Sequence, residues 1–122
     1  MKSIIVSMAA ALGLTIVGSS LATDMPMPPE VKQLMCLSCH AVDRKRIGPP
    51  WRDVGKKYKG VQYFEYNGKT YPLVEGLVKK ISNGSRVGSG NNWGDMPMPA
   101  EDPTGTKQDK IRIMIKYVLS LN

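Results

Sequence analysis

The apolar positions of this chain fall into short runs that predict a mainly helical protein. The first run predicts a short helix that begins at Pro29 or Glu30, where a proline suits the first turn, and continues into residue 36. Further helices are predicted over residues 51–58, 73–82 and 107–121. The last of these has the clearest apolar stripe, and Thr106 is expected to cap its start.

Residues 63–71 have the alternation and the turn of a β-hairpin. Asn67-Gly68 lies between aromatic residues and favours a two-residue type I′ turn. In the register that this turn sets, Phe64 faces Tyr71 and Tyr66 lies on the same side. The sequence therefore predicts a small aromatic plate on one face of a hairpin between two helices.

The N-terminus has the pattern of a secretory signal peptide. Lys2 precedes an apolar run over residues 4–17, and small residues lead up to Ala22, where a signal peptidase would cleave. The run is short for a membrane span, and an uncleaved anchor is the alternative. We therefore expect a signal peptide over residues 1–22 and one small domain over residues 23–122, with no membrane attachment after cleavage.

The chain is basic, with a formal net charge of +7 over 122 residues. A charge of this sign attracts acidic partners. Nucleic acid is the alternative, but the predicted export and the lack of a nucleic-acid-binding motif argue against it. We expect most of the lysines and arginines to form a solvated surface, with a docking patch for an acidic protein as the functional alternative for any one group.

The decisive chemistry lies in residues 36–40, Cys-Leu-Ser-Cys-His, which have the spacing of a covalent attachment site for c-type haem. Cys36 and Cys39 can add to the two vinyl groups of one porphyrin, and His40 can supply an axial nitrogen to its iron. The chain has only two cysteines and one histidine. Three alternative roles for these residues are disfavoured. A structural zinc site needs four ligands, and a thioredoxin-like redox pair belongs to a βαβ pattern that does not surround Cys36. A disulfide between the two cysteines would close too small a loop to add much stability.

A haem iron held by one histidine needs a sixth ligand or keeps an open site. Residues 84–105 form a long glycine-rich loop, and a loop of this length usually has a function. It contains Met96 and Met98, and a methionine ligand raises the reduction potential. Prolines on both sides of Met98 stiffen the backbone, whereas Met96 has a proline on one side only. Met98 is therefore the favoured ligand and Met96 the alternative.

Four local patterns together resemble the class I c-type cytochromes, of the short bacterial periplasmic monohaem type. The patterns are Cys36 to His40, Ile47-Gly48-Pro49, Asn83-Gly84-Ser85 and Trp93-Gly94-x-x-Pro97-Met98-Pro99. The resemblance extends from about Glu30 to Leu121. It implies the class I cytochrome c fold, mainly α, with about four short helices around one covalently attached haem and the hairpin near residues 63–71 as an insertion.

The resemblance also implies a role for each site residue. The cofactor-binding residues would be Cys36, Cys39, His40, Met98, Pro49 and Trp93, with His40 and Met98 as the metal ligands and haem c attached through the two cysteines. The carbonyl of Pro49 would accept a hydrogen bond from the far ring nitrogen of His40. Trp93 would donate its indole hydrogen to a haem propionate or simply cover the haem edge. Arg52 and Lys56 are further candidates for pairing with a propionate.

The function implied is that of a periplasmic single-electron carrier between respiratory redox proteins, not an enzyme. Its partners would be acidic reductases or oxidases, and it is expected to be a monomer. The hairpin would shield the propionate edge of the haem or serve as a partner contact. The alternatives are a haem subunit of a larger oxidoreductase complex and a five-coordinate haem protein that binds a gas or performs peroxidatic chemistry.

Overall fold

The structure is a computed structural model that describes residue 13, residues 24–85, residue 93 and residues 96–122. In chain order its elements are α1 (Pro29–Lys32), a 3₁₀ turn (Met35–Ser38), α2 (Trp51–Lys57), β1 (Tyr63–Tyr66), β2 (Lys69–Pro72), α3 (Leu73–Asn83) and α4 (Gln108–Ser120). The mainly helical fold with one small hairpin is confirmed. Apart from Gly13, the predicted signal segment 1–22 lies outside these residues. No helix within the described ranges has the length and apolar character that crossing a bilayer requires.

The first helix is shorter than predicted. α1 ends at Lys32, and Leu34 has extended backbone angles (φ −103°, ψ 157°) before the 3₁₀ turn begins. An unbroken helix would place Met35 one turn from Val31 on the same face. Because the helix is broken, Val31 and Leu34 are buried whereas Met35 is 68% exposed. The separate 3₁₀ turn buries Cys36 instead.

The hairpin has the predicted register. Its two strands are antiparallel, and Phe64 lies opposite Tyr71. Asn67 and Gly68 form the turn with positive φ angles of 50° and 76°, which is the conformation that an Asn-Gly pair favours. Phe64 and Tyr66 are both buried, as the alternation of β1 predicts.

The aromatic face of the hairpin packs on α3. A Cβ atom added to Gly76 would lie 2.8 Å from the Cβ atom of Phe64, so a glycine at this position allows β1 to approach the helix closely. The ring of Phe64 also meets the ring of Tyr58 edge-on, with 5.9 Å between the centroids. The hairpin therefore covers one face of α3 and contacts Tyr58 at the end of α2.

The helices α2 and α4 cross at Gly55. The other buried apolar residues of the two helices include Trp51, Ile111, Met114, Ile115, Tyr117 and Val118. A Cβ atom on Gly55 would overlap the carbonyl oxygen of Leu121 and lie 2.6 Å from that of Val118. The absence of a side chain at this position therefore sets the distance between the two helices.

The turn that leads into α4 is held by Asp102, and Thr106 does not cap the helix. Asp102 is 3% exposed, and its carboxylate accepts hydrogen bonds from the backbone N–H groups of Thr106 (2.9 Å) and Lys107 (2.8 Å). The hydroxyl of Thr106 lies 3.4 Å from the same carboxylate and donates to it. The predicted cap was wrong, because the residue at the N-cap position is Lys107, which has no capping side-chain hydrogen bond, and the hydroxyl of Thr106 is engaged with Asp102.

The substitution Gly55→Ala is expected to lower the free energy of unfolding by about 1–3 kcal/mol, because the added methyl group must push α4 away from α2. Chemical denaturation of the haem-loaded protein measures this change. The matched control is Lys56→Ala on the same helix, where the side chain is exposed and the change is expected to stay within about 0.5 kcal/mol. Equal stability of Gly55→Ala and the parent protein would contradict the packing described here.

Candidate cofactor site

An apolar cleft lies between α2, α3 and α4 and encloses about 630 Å³ of space that is continuous with solvent. The residues of the helices that line it include Trp51, Val54, Leu77, Ile81, Met114, Ile115, Val118 and Leu119. Five of the six predicted site residues also line it: Cys36, His40, Pro49, Trp93 and Met98. The sixth, Cys39, lines an adjoining space together with His40 and Met98. The structure therefore brings the predicted residues together around one cleft.

The two thiols lie on a single tight turn. The backbone N–H groups of Cys39 and His40 both donate to the carbonyl of Cys36, at 3.1 and 2.9 Å. Neither cysteine forms a disulfide. Burial raises the pKa of the Cys36 thiol to about 11, and the nearby carboxylate of Glu101 adds to the shift. Cys36 is buried whereas Cys39 is partly exposed, so the turn presents one thiol inside the cleft and one at its edge.

The imidazole of His40 is held in one orientation. Its Nδ1 atom lies 2.9 Å from the carbonyl oxygen of Pro49, the contact that the family resemblance implied. A carbonyl can only accept, so Nδ1 carries the hydrogen and Nε2 keeps its lone pair for a metal. The ring lies directly against Gly48, where an added Cβ would be 2.8 Å from Nδ1 and 2.9 Å from Nε2. Trp51 stacks on the ring with 5.9 Å between the centroids.

Met98 belongs to a segment that is hydrogen-bonded to the end of α3. Its backbone N–H donates to the hydroxyl of Ser85 at 3.0 Å, and the backbone N–H of Ser85 donates to the carbonyl of Met98 at 2.9 Å. Two further backbone hydrogen bonds join residues 101 and 102 to the carbonyls of residues 81 and 82. The position of Met98 is therefore fixed by a part of the chain that is distant in sequence.

The two candidate methionines have different environments. Met98 is half-buried and lines the apolar cleft. Met96 is 66% exposed and lines the adjoining space, not the apolar cleft. Of these two methionines, Met98 is therefore the one that lies on the cleft with Cys36 and His40.

Comparison with known proteins places this arrangement in a family. The chain is 35% identical to cytochrome c-551 of Pseudomonas aeruginosa over 94 residues, which cover 75% of each protein. It is 31% identical to cytochrome c-551 of Stutzerimonas stutzeri over 121 residues, 99% of each, and 30% identical to cytochrome c-552 of Hydrogenobacter thermophilus over 120 residues, 98% of this chain and 97% of the relative. The chain belongs to the class I c-type cytochromes.

Solved structures agree with the sequence relatives. Wild-type cytochrome c552 of Nitrosomonas europaea matches with a TM-score of 0.58 and 25% identity, covering 76% of this chain and 96% of that one. No protein-family model matches the sequence. As a member of this cytochrome family, the chain is an electron-transfer protein that carries covalently bound haem c with iron, and it is not an enzyme.

The residues of the cleft fit a haem group. A porphyrin is flat and apolar over most of its area, and the helix side chains that line the cleft are apolar. The donor set is also suitable, because a thioether and an imidazole with a free Nε2 are known axial ligands of c-type haem iron. The cytochrome therefore has both an apolar cavity and a His/Met donor pair at the same place.

Trp93 lines the cleft beside Lys57 and Tyr58, at the C-terminal end of α2. Burial raises the pKa of the Tyr58 phenol, and a hydrogen bond from the Trp93 side chain partly offsets this shift. The ammonium group of Lys57 lies 4.5 Å from the centroid of the Trp93 ring, a cation–π contact. In this structure the indole is therefore directed to a protein hydroxyl.

Lys80 is a site residue that the sequence did not single out. It lies on α3, is 7% exposed and lines the apolar cleft. Burial lowers its pKa to about 8, and the positive charge of Lys57 contributes. The sequence showed Lys80 only as one of a pair of lysines, and the signal that could have distinguished it is its place on the apolar face of α3, one helical turn after Gly76.

Arg52 is not directed to the cleft. Its guanidinium forms a bidentate pair with Asp24, at 3.0 and 2.6 Å, and a third hydrogen bond with Asp43 at 2.5 Å. Lys56, the other expected propionate partner, is exposed and does not line the cleft. In this structure two carboxylates outside the cleft therefore hold the planar donor groups of Arg52.

Substituting alanine for Gly48 is expected to disturb the His40 ligand. The new methyl group would lie within 3 Å of three ring atoms, so the ring must rotate and weaken its hydrogen bond to Pro49. We expect the haem-loaded protein to lose about 1–3 kcal/mol of stability and its ligand-sensitive absorption bands to shift. The neighbouring substitution Ile47→Ala, at a 59% exposed residue, is the control. A Gly48→Ala protein with an unchanged spectrum and stability would rule out the steric role of Gly48.

Proposed function

We propose that this cytochrome is a periplasmic single-electron carrier whose haem iron is bound by His40 and Met98. The observation that carries the proposal is that the two donor side chains line one apolar cleft together with Cys36. In this proposal Cys36 and Cys39 attach the haem through thioether bonds. The buried position of Cys36 disfavours the charged form of its thiol, and thioether formation replaces this ionisable group with a neutral one.

When bound, haem supplies an iron centre that alternates between ferrous and ferric states. The protein's part is to hold both ligands still while the charge changes. His40 is fixed by Pro49 and Gly48, and Met98 by its two hydrogen bonds with Ser85. Rigid ligands and an apolar cleft limit the rearrangement that accompanies each electron transfer, and they exclude water from the donor atoms.

Lys80 and Trp93 are the proposed partners of the haem propionates. A buried ammonium on the cleft wall is stabilised by an anionic group more than by any apolar neighbour. The Trp93 indole is the second donor on the same cleft, its ring lies beside the Lys57 ammonium, and a propionate would take its hydrogen in place of the Tyr58 hydroxyl. Both residues are proposed on the basis of their place in the cleft, and the family resemblance supports the role of Trp93.

Docking to an acidic redox partner is proposed to use the surface near Cys39. Lys45, Ile47 and Met96 line the open space beside Cys39, and Ile47 and Met96 are 59% and 66% exposed. A basic residue beside exposed apolar side chains suits a short-lived complex, in which charge steers the encounter and a small apolar contact fixes it. The net charge of +7 supports acidic partners.

Met98→Ala tests the proposed ligation. The oxidised parent protein is expected to show a weak long-wavelength band from sulfur-to-iron charge transfer, and Met98→Ala is expected to lose it and to have a lower reduction potential. Met96→Ala is the matched control and should keep both properties. A high-spin ferric spectrum in the parent protein would contradict the carrier proposal and favour a five-coordinate haem protein.

Export and cleavage can be tested in a bacterium that attaches haem to c-type cytochromes. The haem-loaded protein is expected in the periplasmic fraction with Thr23 as its first residue, as measured by intact mass and N-terminal sequencing. Ala22→Phe should block cleavage, because the peptidase requires a small residue at that position, and Thr23→Ser should not. A membrane-bound product that retains residues 1–22 would support the anchor instead.

A further inference from the structure

The hairpin is connected to the methionine segment through one buried hydrogen bond. The hydroxyl of Tyr66, the last residue of β1, donates to the carbonyl of Gly84 at 2.9 Å. Tyr66 is 9% exposed, so little water is available to replace this bond if the hydroxyl is removed. The contact joins residues that are 18 positions apart.

Gly84 is in direct contact with the methionine segment. Its φ angle is 79°, a conformation that favours glycine. An added Cβ would lie 2.9 Å from the carbonyl oxygen of Met98 and 2.9 Å from the backbone nitrogen of Ala100. The backbone of Gly84 is therefore packed against residues 98–100, and a change in the orientation of its peptide group cannot occur without moving them.

The next residue, Ser85, is hydrogen-bonded to both the N–H and the carbonyl of Met98. Its hydroxyl accepts the hydrogen bond from the Met98 N–H at 3.0 Å, and its own N–H donates to the Met98 carbonyl at 2.9 Å. The carbonyl that Tyr66 binds belongs to the peptide group that contains the N–H of Ser85. Tyr66 and Met98 therefore bind the two ends of one peptide group, between Gly84 and Ser85.

The packing of the hairpin on α3 fixes the position of the Tyr66 hydroxyl. Phe64, two residues before Tyr66, packs against Gly76 of α3 and meets the ring of Tyr58 edge-on. The paired strand β2 leads directly into α3. The hydroxyl of Tyr66 is thus held relative to α3 by contacts that do not involve residues 98–100.

We propose that Tyr66 is a positioning residue for the methionine ligand and that the hairpin, through the Gly84–Ser85 peptide, keeps Met98 in place for binding to iron. The inference rests on the proposed His/Met ligation. It gives the hairpin a different role from shielding the haem edge. Among the described residues, those that line the cleft do not include residues 63–72.

The test uses imidazole, which can bind ferric haem only by displacing the methionine. Tyr66→Phe removes the hydroxyl and keeps the ring, so the Gly84 carbonyl loses its donor. We expect the affinity of the haem-loaded ferric protein for imidazole to rise about tenfold, as for the loss of one buried hydrogen bond. The titration is followed by the disappearance of the sulfur-to-iron absorption band.

A matched control variant separates loss of the Tyr66 hydroxyl from a general effect of a tyrosine-to-phenylalanine change. Tyr63→Phe lies on the same strand at a residue that is 64% exposed, and it should leave the imidazole affinity unchanged. Chemical denaturation of both variants checks that each is folded. An affinity in Tyr66→Phe within twofold of the parent, or an equal increase in Tyr63→Phe, would overturn the proposal.

A double-mutant cycle tests the route of the effect. Ser85→Ala alone should also raise imidazole affinity, and adding Tyr66→Phe should then have a smaller effect, because both act on the same peptide. Fully additive effects would overturn the route through Ser85. If the ferric parent protein lacks the sulfur-to-iron band, the His/Met proposal fails and this inference fails with it. A normal band with an unaffected Tyr66→Phe variant defeats the inference alone.

Discussion

The hydrogen bonds between residues 98–102 and residues 81–85, at the end of α3 and just after it, are the constraint on which the rest of the site depends. They join Met98 to Ser85 in both directions and fix residues 101 and 102 to the last turn of the helix. The same segment then supplies Asp102, whose carboxylate binds the backbone N–H groups of Thr106 and Lys107 just before α4. One docked stretch of chain thus places the proposed iron ligand and begins the helix that forms a wall of the cleft.

The two sides of the site are built in different ways. The His40 side is local, since the thiols, the imidazole, Gly48 and Pro49 lie close together in sequence and share short-range hydrogen bonds. The Met98 side depends on contacts with α3 and, through Tyr66, with the hairpin. A protein of this design can lose its proposed methionine ligand while its histidine side stays intact, so the long-range contacts would determine how firmly the proposed site is closed.

Much of this arrangement could be predicted because its signals are local. The Asn-Gly turn determines the hairpin register, and helix-period patterns gave α2, α3 and α4 to within a residue or two. Contacts of charged residues with distant parts of the chain could not be predicted from such local patterns. Arg52 pairs with Asp24 across 28 positions, Asp102 binds the backbone just before α4 where Thr106 was expected to cap the helix, and Lys80 is buried because of how α3 packs. Each of these arrangements depends on which distant segments meet in the fold, and no short sequence pattern predicts that.

The central claim is that Met98 and His40 close one site around the haem iron. Proton NMR of the reduced, diamagnetic protein with labelled methionine methyl groups tests it most directly, because a methyl group held over a porphyrin ring is strongly shifted to high field by the ring current. The account predicts one such methyl signal, and Met98→Ala should remove it while Met96→Ala retains it. A spectrum without a high-field methionine methyl, or one in which that signal belongs to Met96, would contradict the account.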